Sequence, residues 1–214
     1  MTIRALVFDF DGVILESADV KTDAFVELYA PHGAEIQAAV RTHHLANLGI
    51  SRFKKFAWIA EHLLGAAITD ADSQRLGERF SALALEKVLA APYVPGAAEA
   101  LAALAHLPRF VASGTPQGEL DHIVDHRGLR PAFREVWGSP TEKDAIVRDL
   151  MARHGLAAGD VLFVGDGLSD HRAATTVGVE FLARDTPELH DQWVALGVRR
   201  RPDLRDLPEL VASW

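Results

Sequence analysis

The feature that constrains this chain most is a repeated pairing of short apolar runs with amphipathic helical stretches. Ile3 to Phe8 is an apolar run with β-branched and aromatic members, and runs of similar character recur at Arg109 to Ala112, Val161 to Val164 and Val179 to Leu182. Such runs read as strands. Between them lie helical patterns at Gly96 to His106, Gln117 to His126, Glu142 to His154 and Leu168 to Val177. This alternation predicts an α/β fold: a three-layer, Rossmann-like core in which a parallel sheet is covered on both faces by helices.

The interval from Lys21 to Ala91 breaks the rhythm. It carries Ala, Leu, Phe and Glu at helical spacing and no strand-like run, so it reads as several helices inserted after the first strand, with breaks at Gly33, Gly49 and Gly65. Two prolines and a glycine in Ala91-Pro92-Tyr93-Val94-Pro95-Gly96 close the insert. The expected organisation is a core of residues 1–18 and 93–214 with an all-helical cap over 19–92.

Composition removes several classes of function. With 49% hydrophobic and 24% charged residues over 214, disorder and collagen-like structure are excluded. The absence of cysteine excludes disulfides, thiolate catalysis and sulfur-held metals, so any metal must be held by oxygen or imidazole. A net charge of −8 gives no field that would draw nucleic acid or anionic lipid. The first apolar run is cut short by Asp9 and Asp11 and fails as a signal peptide or membrane span, which leads us to expect a soluble, cytoplasmic protein. Nothing in the sequence assigns an oligomeric state.

Asp9 and Asp11 stand where the first strand runs out, two residues apart, so extended backbone would point both carboxylates to one side. Carboxylates there are costly to desolvate without a cation or strong donors, and open parallel sheets bind ligands at the carboxyl ends of their strands. Read alone, the pair could equally be turn residues before Gly12. A second strand, Val161 to Val164, runs into Gly165-Asp166-Gly167-Leu168-Ser169-Asp170. Asp166 and Asp170 are four apart at a helix start, where like charges repel unless something positive lies between them. Oxygen-only ligands in small number suit Mg²⁺. A third strand ends in Ser113-Gly114-Thr115, a hydroxyl and a close-approach glycine that suit a phosphate oxygen, or else a helix-capping turn. Lys143 begins a helix, an unfavourable place for a cation unless it has an anion to meet.

Taken in order, Asp9-Phe10-Asp11-Gly12-Val13, Ser113-Gly114-Thr115, Lys143 and Gly165-Asp166-Gly167-Leu168-Ser169-Asp170 resemble the four motifs of the haloacid dehalogenase-like phosphohydrolases. The resemblance spans the whole core, and the helical insert sits where that family places its cap. It implies that Asp9 is the nucleophile, forming an aspartyl-phosphate, and that Asp11 is the general acid/base, its main-chain carbonyl also reaching the metal. It further implies that Asp166 ligates Mg²⁺ directly and Asp170 orients the metal shell. Ser113, Gly114 and Thr115 would hold phosphoryl oxygens, and Lys143 would neutralise charge beside Asp9. The family's dehalogenases lack an acid at the position of Asp11, so the resemblance favours a Mg²⁺-dependent phosphatase acting on a small phosphorylated metabolite, such as a sugar or glycolate-type phosphomonoester.

Three cap features bear on the substrate. Gly49-Ile50-Ser51-Arg52 resembles a stretch in the cap of β-phosphoglucomutase whose arginine holds a remote phosphate, which makes Arg52 a candidate for substrate binding; a solvated Arg52 behind an N-capping Ser51 is the alternative. Lys21 either faces the cleft between core and cap, as a substrate-binding residue, or is solvated. A mutase is the rival activity, but Lys21 stands where that enzyme has a histidine, and a catalytically inactive phosphate-binding protein is the other. A phosphonatase would form an imine with a cap lysine; Lys54 and Lys55 lie in the cap without a recognisable motif around them. The adjacent His43 and His44 and the four tryptophans read as packing residues, and Arg199-Arg200-Arg201 as a solvated basic edge.

Overall fold

The computed structural model describes residues 2–214. Strand β1 (Ala5–Phe8) is followed by four helices, α1 (Ala18–Leu28), α2 (Ala34–Ala46), α3 (Arg52–His62) and α4 (Asp70–Ala90), before α5 (Ala97–Ala103) leads back to β2 (Arg109–Pro116). The remainder alternates: α6 (Gln117–His126), β3 (Glu135–Ser139), α7 (Lys143–His154), β4 (Val161–Gly165), α8 (Leu168–Val177), β5 (Glu180–Arg184), α9 (His190–Leu196), β6 (Arg200–Arg201) and α10 (Leu207–Ala212). The six strands form one sheet in the order β3-β2-β1-β4-β5-β6, and every adjacent pair is parallel. The α/β parallel-sheet core expected from the apolar runs is therefore the observed one. Among the described residues no helix is long and apolar enough to cross a membrane.

The period of two along each strand divides the interior. Leu6, Phe8, Val111, Leu162 and Val164 join one apolar cluster with residues of α5, α6 and α10, whereas Ala5, Val7, Phe110, Ala112 and Phe163 pack against Ile146, Val147, Ala173 and Ala174 of α7 and α8 on the other face. The inserted helices bury their own aromatic centre, in which the Phe25 ring lies 5.5 Å from Phe56 and 4.7 Å from Phe80. These rings belong to the same contiguous cluster as Phe8, so the insert is welded to the core through apolar contact as well as through its two connections. At about 1.5–3 kcal/mol for each large apolar side chain buried, this shared interior outweighs any single polar contact between the two. Helix α4 is opened by Thr69, whose hydroxyl accepts the Asp72 N–H at 3.1 Å.

Two strands have no counterpart in the apolar pattern, and both are edges. β3 is only half-buried over Glu135, Val136 and Trp137, so it carries too few apolar residues to register as a run. At the opposite edge, Arg200 and Arg201 form β6 and pair in register with Ala183 and Arg184. The basic run is thus a sheet edge rather than a merely solvated segment, and charge on an edge strand discourages pairing with another chain.

Candidate active site

Register places the site. Phe8 pairs with Val111 on one side and with Val164 on the other, so the residues that follow these three strands emerge at one level of the sheet. β1 and β4 flank the point where strand order reverses, which is where open α/β sheets bind ligands. Gly12 turns the chain away from β1 at φ 76°, and a Cβ there would run into the Asp166 carboxylate, so the turn and the second acidic loop are in direct contact.

Lys143, the first residue of α7, is buried between two acids: its Nζ lies 2.9 Å from Asp9 Oδ2 and 2.5 Å from Asp170 Oδ1. Burial alone would pull this ammonium down, but Asp170 and Asp9 outweigh it and hold it well above the ordinary lysine value. Asp9 is 2% exposed, and its Oδ1 accepts the Phe10 N–H at 2.7 Å. Burial pushes the Asp9 carboxyl up to about 7, with Lys143 opposing and Asp170 and Asp11 adding to the rise. Asp166 is raised well above its ordinary value by burial and by Asp9 and Asp170. Asp170 also accepts the Gly167 N–H at 3.0 Å, which fixes it at the start of α8.

Asp11 is treated differently. Its Oδ1 accepts the Ser17 hydroxyl at 2.7 Å, and its Oδ2 accepts the Thr115 hydroxyl at 2.8 Å and an N–H of Lys21. Lys21 also donates to Thr115 Oγ1 at 2.6 Å, so Lys21 is drawn into the cleft rather than solvated. Burial raises Asp11, yet Lys21, Ser17 and Thr115 together hold it below the usual carboxylate range. Two acids two residues apart thus have opposite environments. Ser113 is buried beside them, its Oγ accepting the Thr115 N–H at 3.1 Å.

The insert closes the site from above. A Cβ on Gly49 would reach Lys143 Nζ at 2.8 Å, and a Cβ on Gly114 would collide with the Gly49 carbonyl, so the α2–α3 loop rests directly on Lys143 and Gly114. The Ser169 hydroxyl donates to the Leu48 carbonyl at 2.7 Å. Beneath this loop is a cavity of about 50 Å³. Asp9, Asp11, Asp166, Ser113, Gly114 and Thr115 line it from the core, and Lys21, Arg52, Lys55 and His44 from the insert. Lys143 and Asp170 do not line it; Lys143 lines an adjoining cavity of about 380 Å³ that shares Gly49, Ile50, Ser113 and Gly114 with the first.

Arg52 is buried, not solvated, and Ser51 makes no side-chain cap to α3. Its guanidinium donates to Glu119 and Ser81 and lies 4.3 Å over the Phe80 ring. Glu119 and Ser81 were not singled out in the sequence and are brought in by contacts with Arg52, distant in the chain, whereas His44, read there as a packing residue, lines the cavity. Lys55 is buried, and burial, with Lys21 and Lys143 adding, draws it down to about 7. Its neighbour His44 is drawn down to about 2 by burial and by Lys55, so the ring is neutral.

The acidic group fits a hard dication. Asp9, Asp166 and Asp170 each offer a carboxylate oxygen within 4.8 Å of the others, all three are buried, and Lys143 is the only cation paired with any of them among the described residues. Burial first, and the neighbouring carboxylates after it, raise Asp9 and Asp166, and a cation held among them would oppose that rise. The donors are all oxygen and few, which suits Mg²⁺ retaining several waters. The Asp11 carboxylate is committed to Lys21, Ser17 and Thr115 and stands outside this group.

The site is thus an acid directly after the first strand of a parallel sheet, with a helical insert folded back over that acid. The model of the haloacid dehalogenase-like hydrolases matches residues 3–178, and the chain belongs to that family. No curated protein matches the sequence. Among solved structures, CbbY from Rhodobacter sphaeroides in complex with phosphate is similar at 22% identity, with 96% of each chain covered and a TM-score of 0.75. A protein described as a predicted phosphoglycolate phosphatase from Haemophilus somnus 129PT is similar at 17% identity, with 98% of each chain covered and a TM-score of 0.73. L-2-haloacid dehalogenase from Xanthobacter autotrophicus is similar at 21% identity, with 99% of each chain covered and a TM-score of 0.64. At these identities the likeness is one of fold, and the choice of reaction rests on the site.

Proposed function

We propose that this protein is a Mg²⁺-dependent phosphatase that hydrolyses a small phosphomonoester through an aspartyl-phosphate on Asp9. The observation that carries this reading is the unequal treatment of two neighbouring acids. Asp9 is clamped by the Lys143 ammonium at 2.9 Å and by a main-chain N–H, which orients it for attack, whereas Asp11 is held as a carboxylate by Lys21, Ser17 and Thr115. A dehalogenase reaction has no use for a second, separately held acid.

A bound phosphoryl group would lie between Asp9 and the Ser113–Thr115 turn, with Ser113 and the Gly114 N–H meeting its oxygens. A bound Mg²⁺, held by Asp9, Asp166 and Asp170, would supply charge neutralisation for the phosphoryl oxygens and for the three acids. Asp9 attacks phosphorus, the bond to the ester oxygen breaks, and the leaving oxygen takes a proton from Asp11. For that step Asp11 must be protonated, and the anionic phosphoryl group entering beside Lys21 draws the ammonium away from the carboxylate. In the second step Asp11, again a carboxylate, takes a proton from the water that attacks the phosphoenzyme, releasing phosphate and free Asp9. The loop over Gly49 keeps bulk water from the intermediate.

The mutase alternative would ask Arg52 to hold a remote phosphate, but two of its nitrogens already serve Glu119 and Ser81. The test is phosphate release from small phosphomonoesters, with and without Mg²⁺. Turnover that depends on Mg²⁺ and falls at least about 10³-fold in Asp9→Asn is the expected result. Isomerisation of a sugar phosphate without phosphate release would overturn it.

A further inference from the structure

Among the described residues the insert joins core side chains in two apolar clusters. One is the large interior that links Phe25 and Phe56 to Phe8. The other is small and lies beside the site: Leu48, in the loop between α2 and α3, shares it with Ala183 of β5 and with Leu189 and Trp193 at α9, while Leu168, Phe181 and Val198 pack around them. Leu48 is 8% exposed and Trp193 is fully buried. Trp193 belongs to none of the four motifs and lines neither cavity. Its Nε1 has no hydrogen-bond partner, so the indole contributes volume rather than a donor, and the neighbouring rings of Phe181 at 5.9 Å and His171 at 6.1 Å fix its plane.

What Leu48 fixes comes next in the chain. Its carbonyl accepts the Ser169 hydroxyl at 2.7 Å and lies so close to Gly167 that a Cβ there would stand 2.8 Å from it. Gly49 follows at φ 79°, against Lys143 Nζ and Gly114. One hydrogen bond is a weak tether for a loop, because water competes for both partners. An apolar side chain withdrawn from water adds a second tether that does not depend on donor geometry. We propose that Trp193 is a positioning residue: with Leu189 it forms a socket for Leu48, and filling that socket holds Gly49 against Lys143 and Gly114. This rests on the phosphatase reading above and deepens it, because a loop that leaves the socket lowers the fraction of protein competent to hold the phosphoryl group and so raises KM in proportion.

The experiment is a double-mutant cycle on the full chain with Mg²⁺ and p-nitrophenyl phosphate, Leu48→Ala against Trp193→Leu. Each single variant should raise KM about tenfold and leave kcat within about threefold of wild type. The double variant should be no worse than either single, since both empty one socket, whereas independent effects would multiply to about 100-fold. Trp193→Phe keeps a ring and gives up only the unpartnered N–H, and should restore KM to within about twofold of wild type. Should Trp193→Leu fail to fold, Leu189→Ala takes its place in the cycle. Multiplying effects, an unchanged KM in Leu48→Ala, or a Trp193→Leu that lowers Tm with KM unmoved would each overturn the proposal and leave the phosphatase reading intact. No phosphate release by the wild type from any ester would remove the phosphatase reading instead, and the same cycle read as affinity for orthovanadate with Mg²⁺ would still judge the socket.

Discussion

Arg52 of α3 and Glu119 of α6 form a bidentate ion pair across the cleft between insert and core, Nη1 to Oε2 at 3.0 Å and Nη2 to Oε1 at 2.5 Å. Burial pushes the Glu119 carboxyl up, but Arg52, Lys21 and Ser81 outweigh it and keep the acid ionised. Removing one partner strands the other as a buried charge, which typically costs about 3–5 kcal/mol. Glu119→Ala should therefore lower Tm by roughly 6–20 °C for a chain of this size. Replacing both residues with methionine should recover most of the loss, because the stranded charge is gone. A Glu119→Ala melt indistinguishable from wild type would show that the pair holds nothing together.

Asp11 serves both chemical steps in the proposed mechanism, and an activated leaving group separates them. With p-nitrophenyl phosphate the departing oxygen needs no proton, so Asp11→Asn should still be phosphorylated but should lose the base that activates water. Stopped-flow traces should show a burst of nitrophenol followed by turnover slowed about 10²–10⁴-fold. Equal slowing of burst and steady state would place Asp11 elsewhere in the reaction.

Acid stability reports on the far side of the sheet. Glu135 accepts from Trp137 Nε1 at 2.9 Å and from His154 at 2.6 Å, and pairs with Arg153 at 2.7 Å. Burial raises its carboxyl, but Arg153, His154 and Trp137 overcome this and hold it at about 2. A carboxyl depressed in the folded state adds stability above its unfolded value of about 4.3 and loses it as pH falls towards the folded value. The Tm gap between wild type and Glu135→Gln should thus be full at pH 7 and shrink between about pH 4.3 and 2. A gap constant over that window would remove the ionised pair as its cause.

The sheet's centre was legible in the sequence because β1, β2 and β4 are buried on both faces, and that burial demands unbroken apolar runs. β3 and β6 were not, because an edge strand needs no such run; Trp137 and Arg200 sit in strands defined by backbone pairing alone. The acids after β1 and β4 could be found because charge at the end of an apolar run is conspicuous. The surroundings of the cap residues could not. Arg52 meets Glu119 67 positions away and Lys21 meets Thr115 94 positions away, and no local pattern records such encounters. Lys55 and His44 lie on different helices, and their isolation from carboxylates appears only once α1, α2 and α3 are packed.

The covalent step is the centre of the account, and it is tested most directly by acid-quenched peptide mass spectrometry of protein mixed with Mg²⁺ and a small phosphomonoester. The account predicts a phosphoryl group on the peptide carrying Asp9, absent after chelation and absent in Asp9→Asn. Undiminished phosphate release by Asp9→Asn, or by chelator-treated wild type, would contradict it.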